Sequence, residues 1–461
     1  MVVAESVWNA IELAESFGCV VRRAAIDGEH KDVEHIPLTM EPSPISKQNF
    51  LELEAAELVF SELIHKMSSD RDFMNEALKE TAAEDAFWRR LLEIYNRVQE
   101  EAPNPILLGL HRMDYLLETI GNDEFARMVE FNTTAASMGG HAEKIAEIHR
   151  INGHKPEDNS VTPKLAEHLA ESVKAYSKKF NTPIENLTVL TIRETPGSVN
   201  FSDQRKVELS VSKRLGYKCP VRRVTFTDLA NKENVKITGD RRFFYQGTEV
   251  ATFYMRDVSF PTEELWKARE NVDTSVAVKC PSVQYHLMTN KVFQACFSNK
   301  KLLHKYISQE EIESIKNFIA PMCYLTDWNN PIVTQAFSTP SSYCLKILRE
   351  GGHLGNIFDE KEVLETLERM KTDKVLRTEY CLMGKIKSDV HPNTLVRSGK
   401  TDGPQRTIAE YGIFGGFLCV DGEVLKNEVC GHLVRVKPEH SHLGGVNVGG
   451  ACVGSMKIVE N

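Results

Sequence analysis

The residues best suited to chemistry lie between Leu345 and Asn356, which read Leu-Lys-Ile-Leu-Arg-Glu-Gly-Gly-His-Leu-Gly-Asn. Short apolar residues suggest the end of a strand. Two cations, Lys346 and Arg349, then a carboxylate, Glu350, lead into a glycine-rich turn. Such a turn can aim successive backbone N–H groups at one anion, and a carboxylate beside it can hold a divalent metal that bridges phosphate oxygens. A surface hairpin with scattered charges would read the same way. The stretch is no P-loop, because no Gly-Lys-Ser/Thr follows, and it lacks the G-x-G-x-x-G dinucleotide spacing. A second candidate is Arg127 to Asn132, Arg-Met-Val-Glu-Phe-Asn. On a strand, residues two apart share a face. Glu130 and Asn132 would therefore project together, either as two oxygen ligands for a hard metal ion or as a solvent-facing polar edge.

The elements that must position these residues can be read from periodicity. Val7, Ile11, Ala14 and Phe17 mark a helix over residues 4 to 17. Pro42 and Pro44 precede a long helix from about Gln48, with Leu51, Ala55, Leu58, Val59 and Ile64 on one face. A further helix from about Asp85 to Glu100 turns Phe87, Leu91, Ile94 and Val98 inward and ends before Pro103 and Pro105. This mostly helical beginning shows no chemistry. Ile106 to Leu110 reads as a short strand, and the run Thr133 to Gly140 is small enough for close backbone approach to a ligand.

From Leu187 the pattern alternates: a strand at Thr188 to Ile192, a helix at Asp203 to Leu215, a strand at Val221 to Phe226, and a hairpin turning at Gln246-Gly247 between Phe243 and Tyr254. That order suggests an α/β layer and a separate domain at about 187 to 290. Ser308-x-x-Glu311 is a capping box that starts a helix to about Ala320, and Asp359 to Met370 is an amphipathic helix. The run from Leu443 to Val453 reads as a mobile loop of small residues.

Composition bounds the function. A chain of 461 residues implies two or three domains. A net charge of −9 argues against nucleic acid or an anionic membrane as partner, and no apolar run is long enough to span a bilayer. The start, Met-Val-Val-Ala-Glu-Ser-Val-Trp, lacks the regions of a signal peptide, although a removed leader replaced by methionine would look the same. The ten cysteines show no C-x-x-C spacing and sit in apolar surroundings, so buried free thiols and a reducing compartment are expected. The histidines show no metal-ligand spacing.

Taken together, the motifs resemble the eukaryotic glutathione synthetase family along nearly the whole chain. They are Gly109-Leu-His-Arg-Met-Asp-Tyr115, Glu130-Phe-Asn-Thr133, Ser137-Met-Gly-Gly140, Asp203-Gln-Arg205, Arg256-Asp257, Lys279-Cys-Pro281, Lys346 to Gly352, Glu410-Tyr-Gly-Ile-Phe-Gly415 and Gly431-His-Leu-Val-Arg-Val-Lys437. The resemblance implies an α/β (α+β) chain with an ATP-grasp fold. Residues 1–186 would be a helical region with part of the core, 187–290 an inserted α/β substrate-binding domain, and 291–461 the remaining core and lid. It also implies a homodimer that condenses γ-glutamylcysteine with glycine using ATP and Mg2+. Glu130, Asn132 and Glu350 would hold magnesium. Lys291 and Lys346, with the backbone of Gly351 and Gly352, would meet the phosphates. Asn356, Phe358, Met383, Ile386, Glu410 and Lys437 match further nucleotide contacts. Arg112 and Arg256 match the arginines that grip the dipeptide, Arg435 the one at the substrate end, and Ser137, Asn200 and Gln204 its polar contacts. Arg112, Lys346 and Arg435 match the catalytic positions. Catalysis of this kind rests on positioning and electrostatics rather than on a protein nucleophile.

The departures from the family cluster in the substrate half. Ser198 stands where the family has a glutamate for the dipeptide's α-amino group. Such a loss removes a charge-assisted hydrogen bond of about 1.5–3 kcal/mol. Ser259 replaces a tyrosine, Ala135 a serine and Leu443 an aspartate. Asn447, beside Val446 in the final small-residue loop, replaces an alanine. His353 interrupts the glycine-rich loop with a two-residue insertion; it either reaches the phosphates or faces solvent. Gly384 replaces a glutamate beside the hinge. This pattern suggests altered specificity, and it resembles that of the secreted glutathione-synthetase-like effectors of parasitic nematodes. By the family resemblance the protein would be cytoplasmic; as a mature effector it would be secreted.

Overall fold

The computed structural model describes residues 5–22, 32–101, 104–193, 198–348, 355–441, 444–446 and 449–460. Its centre is a sheet built from both ends of the chain, antiparallel except where Cys452–Gly454 runs parallel to Leu38–Thr39. In spatial order the strands are His391–Arg397, Leu38–Thr39, Cys452–Gly454, Glu423–Pro438, Lys400–Val420, Ile106–Ile120 and Asp123–Asn132, and the first also pairs with Lys400–Val420. The strand expected at Ile106 to Leu110 thus runs on to Ile120. Arg112, Asp114 and Glu118 look like solvated residues in sequence, but cross-strand pairing carries the backbone through them.

Helices cover this sheet. Ser46 accepts the Asn49 N–H and so caps Lys47–Ser69, whose Leu53, Ala56, Phe60, Leu63, Ile64 and Met67 recur at helical spacing and are buried. Gly415 and Gly416 lie in the middle of Lys400–Val420, where a Cβ would collide with Glu57 at the first and His168 at the second. The two glycines let the helices Lys47–Ser69 and Val161–Phe180 approach the strand closely. The run expected to allow close backbone approach, Thr133 to Gly140, leads into the helix Gly139–Ile151, and a further helix follows at Val161–Phe180; neither helix was anticipated.

A second sheet occupies residues 187 to 280. Leu187–Ile192 and Thr248–Met255 run parallel at its centre, with Val221–Val224 and Val278–Cys280 also parallel. All six residues of Leu187–Ile192 are buried, as a central parallel strand requires. The strand expected to reach Phe226 stops at Val224, because Thr225 opens a capping box for the short helix Phe226–Ala230. The hairpin turn falls at Gln246 and Gly247, both with positive φ.

A third sheet, of three antiparallel strands, is Met322–Tyr324, Tyr380–Gly384 and Tyr343–Ile347. Asp359 caps the adjoining helix Glu360–Met370 by accepting two backbone N–H groups. The helix begun by the Ser308–Glu311 capping box is α-helical only to Ile315 and tightens into a 3-10 turn over Lys316–Phe318. The final small-residue run, expected to be a loop throughout, ends in the strand Cys452–Gly454. The ten cysteines are free thiols, all buried except the half-buried Cys296. No described helix is long and apolar enough to cross a membrane.

Candidate active site

The long sheet places its charges through register. Arg112 faces Asn132, Asp114 faces both Glu130 and Gly412, and Glu410 faces Arg435. Asp114 is the organiser. Its carboxylate accepts from Arg112 Nε at 2.6 Å and Nη2 at 2.8 Å, from Arg435 Nη2 at 3.0 Å and from Asn132 Nδ2 at 2.9 Å. Gly412 makes room for this pairing, since a Cβ there would lie 2.6 Å from Asp114 Oδ1. Arg435 also pairs with Glu410 and lies 3.9 Å from Glu130. Burial alone would lower the Arg435 pKa, but Glu410, Asp114 and Glu130 more than reverse this, so the guanidinium stays charged. Lys291, at the start of the helix Lys291–Cys296, brings its Nζ to 3.7 Å from Glu130.

A cleft of about 230 Å³ lies between the long sheet and the three-stranded sheet, and its lining residues Val129 and Lys437 are on the strands that carry Glu130 and Arg435. Leu116, Val129, Ile408, Met383, Ile386 and Phe358 give it apolar walls, and Lys346, Lys385 and Lys437 line it with cations. Lys346 is 4% exposed and lies 5.4 Å from the centre of the Phe358 ring. The Lys437 pKa is lowered, first by burial and then by Lys346 and Arg435, with Glu410 opposing. Asn356 Oδ1 accepts the Ile347 N–H at 3.0 Å and so ties the return of the glycine-rich loop to the strand. Apolar walls for a flat ring, with lysines lining the same cleft, suit a nucleotide.

The donor chemistry around Glu130 fits a hard cation. Asn132 spends its amide N–H groups on Asp114 and the Arg112 carbonyl, so its Oδ1 is left to face a ligand. A carboxylate and an amide oxygen two positions apart on one strand are the ligand types Mg2+ prefers. Among the described residues no group of three or more His, Cys, Asp or Glu forms a metal site. Glu350, expected as the third protein ligand, lies outside the described residues, as do Gly351, Gly352 and His353.

The residues expected to hold a substrate gather on a different frame, near the ends of the parallel strands Leu187–Ile192 and Thr248–Met255. Arg256 follows the second of these and donates from Nη2 to the Ala135 carbonyl and from Nη1 to the Ala136 carbonyl, both at 3.0 Å. Arg112 Nη1 reaches the Ser137 carbonyl at 3.1 Å. The two arginines expected to grip a dipeptide thus hold one loop through its backbone. That loop is strained, with Ala135 at φ 48° and Met138 at φ 73°. Asp203 fixes its far end by accepting the Met138 and Gly140 N–H groups, each at 2.8 Å. Ser198, Asn200 and Gln204 form one hydrogen-bonded group. Ser259 is exposed and folds back within its own turn, its N–H donating to Asp257. Val446 is buried, and its neighbour Asn447 lies outside the described residues, as does Leu443.

Sequence reasoning gave no role to Asp114, Gly412 or Arg223, nor to Asp203 as a clamp. The spacing of Arg112 and Asp114, two apart on a strand, was the available signal for the first. Arg223 and Asp203 carried none, since their partners are distant in sequence.

A small three-stranded sheet and a long antiparallel sheet enclosing a lysine-lined cleft define an ATP-grasp fold. The model of the eukaryotic glutathione synthase ATP-binding domain matches residues 3–458, and the chain belongs to that family. It is 30% identical over 459 residues to glutathione synthetase of Bos taurus, covering 96% of this chain and 94% of the relative. It is 29% identical over 443 residues to the chloroplastic glutathione synthetase of Arabidopsis thaliana, covering 92% and 79%. Among solved structures, the apo form of a glutathione synthetase-like effector from Globodera pallida superposes with a TM-score of 0.78 at 19% identity, covering 99% of this chain and 96% of that one.

Proposed function

We propose that this protein is an ATP- and Mg2+-dependent ligase of the glutathione synthetase type whose substrate half has changed. The observation that supports it most is the buried array of Asp114, Glu130, Glu410, Arg112 and Arg435 beside the lysine-lined cleft. In this reading residues 1–186 and 291–461 form the nucleotide-binding body and lid, and 187–290 an inserted substrate domain. The chain acts as a homodimer.

The reaction joins two anions, so fixed cations must lower their repulsion. A donor carboxylate oxygen attacks the γ-phosphorus of ATP and ADP leaves, giving an acyl phosphate. An amine then attacks the acyl carbon, phosphate leaves, and the amine's proton is released. Lys291, Lys346 and Lys437 meet the phosphates, with Met383 and Ile386 beside the base. Arg112 and Arg435, held in place by Asp114, face the carboxylate and the transferring group. Magnesium, held by Glu130 and Asn132 Oδ1 with Glu350 as third ligand, would neutralise phosphate charge. Arg256, Ser137, Asn200 and Gln204 hold the donor, a γ-glutamyl dipeptide or related thiol; an amino acid is the acceptor. Ala135, Ser198, Ser259, Val446 and Asn447 set which donor and acceptor fit.

The second reading is a protein that binds nucleotide or a thiol ligand with little glutathione-forming activity. The use of Arg112 and Arg256 on loop carbonyls favours it, as does the fold shared with the nematode effector. A ligase of the ordinary type would be cytoplasmic; an effector would be secreted. The deciding experiment measures ADP release with Mg2+, ATP, γ-glutamylcysteine and glycine, with the product identified by mass. We expect ATP to raise the melting temperature only with Mg2+ and glutathione formation to be slow. Absence of any nucleotide-induced shift would overturn the ligase reading, and rapid steady turnover to glutathione would overturn the claim of a changed substrate half.

A further inference from the structure

Within the ligase reading, the group Ser198, Asn200 and Gln204 has a polarity that can be derived atom by atom. Arg223 is the fixed point. Its Nε donates to Glu208 at 2.8 and 3.0 Å and its Nη2 reaches Gln204 Oε1 at 2.9 Å. A guanidinium can only donate, so the Gln204 atom facing it must be the oxygen. The Gln204 amide nitrogen is therefore turned the other way, donating to Asn200 Oδ1 at 2.8 Å and Ser198 Oγ at 3.2 Å. Asn200 must then accept at its oxygen, which also takes the Ser198 hydroxyl at 3.3 Å. What Asn200 has left is its Nδ2, a donor without a partner among the described residues.

The surroundings have the same sign. Asn200 stands at the N-cap of the helix Phe201–Arg214 but makes no side-chain cap bond, so the first N–H groups of that helix keep their partial positive charge. Arg256 Nε is buried and has no partner among the described residues. The two nearby carboxylates on the helix are committed, Asp203 to the Met138 and Gly140 N–H groups and Glu208 to Arg205 and Arg223.

We infer that the subsite of Ser198, Asn200 and Gln204 takes a hydrogen-bond-accepting end of the donor substrate, a carboxylate or carbonyl, and disfavours an ammonium group. Arg223 is a positioning residue here, since it sets which way the Gln204 amide points. An ammonium brought to this subsite would meet N–H donors and lose its water without a carboxylate in return.

The test compares γ-glutamylcysteine with glutarylcysteine, which keeps the terminal carboxylate and lacks only the ammonium. Binding is measured calorimetrically, with and without Mg·ADP. We expect glutarylcysteine to bind at least fivefold more tightly. Ser198→Glu should reverse the order, and Arg223→Leu, which frees Gln204 to rotate, should narrow the ratio towards one. Tighter binding of γ-glutamylcysteine by the unaltered protein would overturn the inference, as would binding of neither compound or a ratio unmoved by Ser198→Glu. Failure of the ligase reading would show separately, as loss of the Mg·ADP response while the ratio measured without nucleotide persists.

Discussion

The two halves of the site hold their arginines in opposite ways. On the nucleotide side of the proposed site, Arg435 meets carboxylates on three other strands of the long sheet and Arg112 meets Asp114 on its own strand, where backbone register fixes every position. On the substrate side, Arg256 and one arm of Arg112 meet carbonyl oxygens of a loop with two residues at positive φ. Charge on a ladder is costly to alter, because each member leaves another buried and unpaired. Side chains at strand ends and in loops can change with little effect on the body of the fold. The two halves can therefore diverge at different rates within one chain, and Ser198, Ser259 and Ala135, where the family resemblance implies departures, lie on the side where change costs less.

The sharpest way to break this comparison is to remove the carboxylate that the ladder turns around. Asp114→Ala leaves Arg112 and Arg435 without their shared partner, and Asp114 is only 1% exposed. Removing one member of a buried ion pair typically costs about 3–5 kcal/mol. Urea unfolding should show a loss of that order, with the nucleotide-induced rise in melting temperature abolished. A loss below about 1 kcal/mol, as expected of an exposed pair, would mean that the array is not a structural unit.

A smaller effect is expected from the loop's own clamp. Asp203→Asn replaces one of two oxygen acceptors with a donor, set against the Met138 or Gly140 N–H. An unsatisfied buried donor costs about 1–3 kcal/mol, and the loop would loosen where Arg256 and Arg112 hold it. The result should be a raised KM or Kd for the donor with Mg·ATP affinity unchanged, because no contact of Asp203 reaches the cleft. Equal loss of both affinities would show that the halves are not separable.

The contrast also explains what could be read from the sequence. The strand carrying Glu130 and Asn132 was legible, and with it their shared face, because a strand has a period of two; of the parallel strands, Leu187–Ile192 followed from an unbroken apolar run, Val221–Val224 was read two residues too long and Val278–Cys280 was not read at all. The seven-strand order was not, since it joins Leu38–Thr39 to Cys452–Gly454 and His391–Arg397 across hundreds of residues. For the same reason nothing in the sequence singled out Arg223, although its side chain donates to Gln204 nineteen positions away. Motifs near in sequence announce themselves; hydrogen bonds that close over long loops do not.

The comparison can be sharpened most finely at Lys437, where the two halves of the argument meet in one titration. Its pKa is lowered by burial and by the neighbouring charges of Lys346 and Arg435. Phosphate oxygens in the cleft would favour the charged lysine and push the pKa back up. Below the lowered value Lys437 carries its proton with or without nucleotide, and affinity is at its full value. As pH rises through that value the free protein loses the proton and binding must take one up, so nucleotide affinity falls by a few-fold. The folding term has the opposite slope. In the window between the lowered value and the ordinary lysine pKa, Lys437 holds more protons in the unfolded chain, so its own contribution to stability rises with pH; burial pushes the Cys19 thiol up to about 11 and the Cys219 thiol up to about 12, which contributes the opposite slope. The Lys437 contribution is therefore read as the difference between the unaltered protein and Lys437→Met, both in the melting temperature of the free protein and in its nucleotide-induced shift. Calorimetry in two buffers of different ionisation enthalpy should register the proton taken up, and Lys437→Met should remove both the uptake and the pH dependence. Uptake that persists in Lys437→Met would assign the titration to another group.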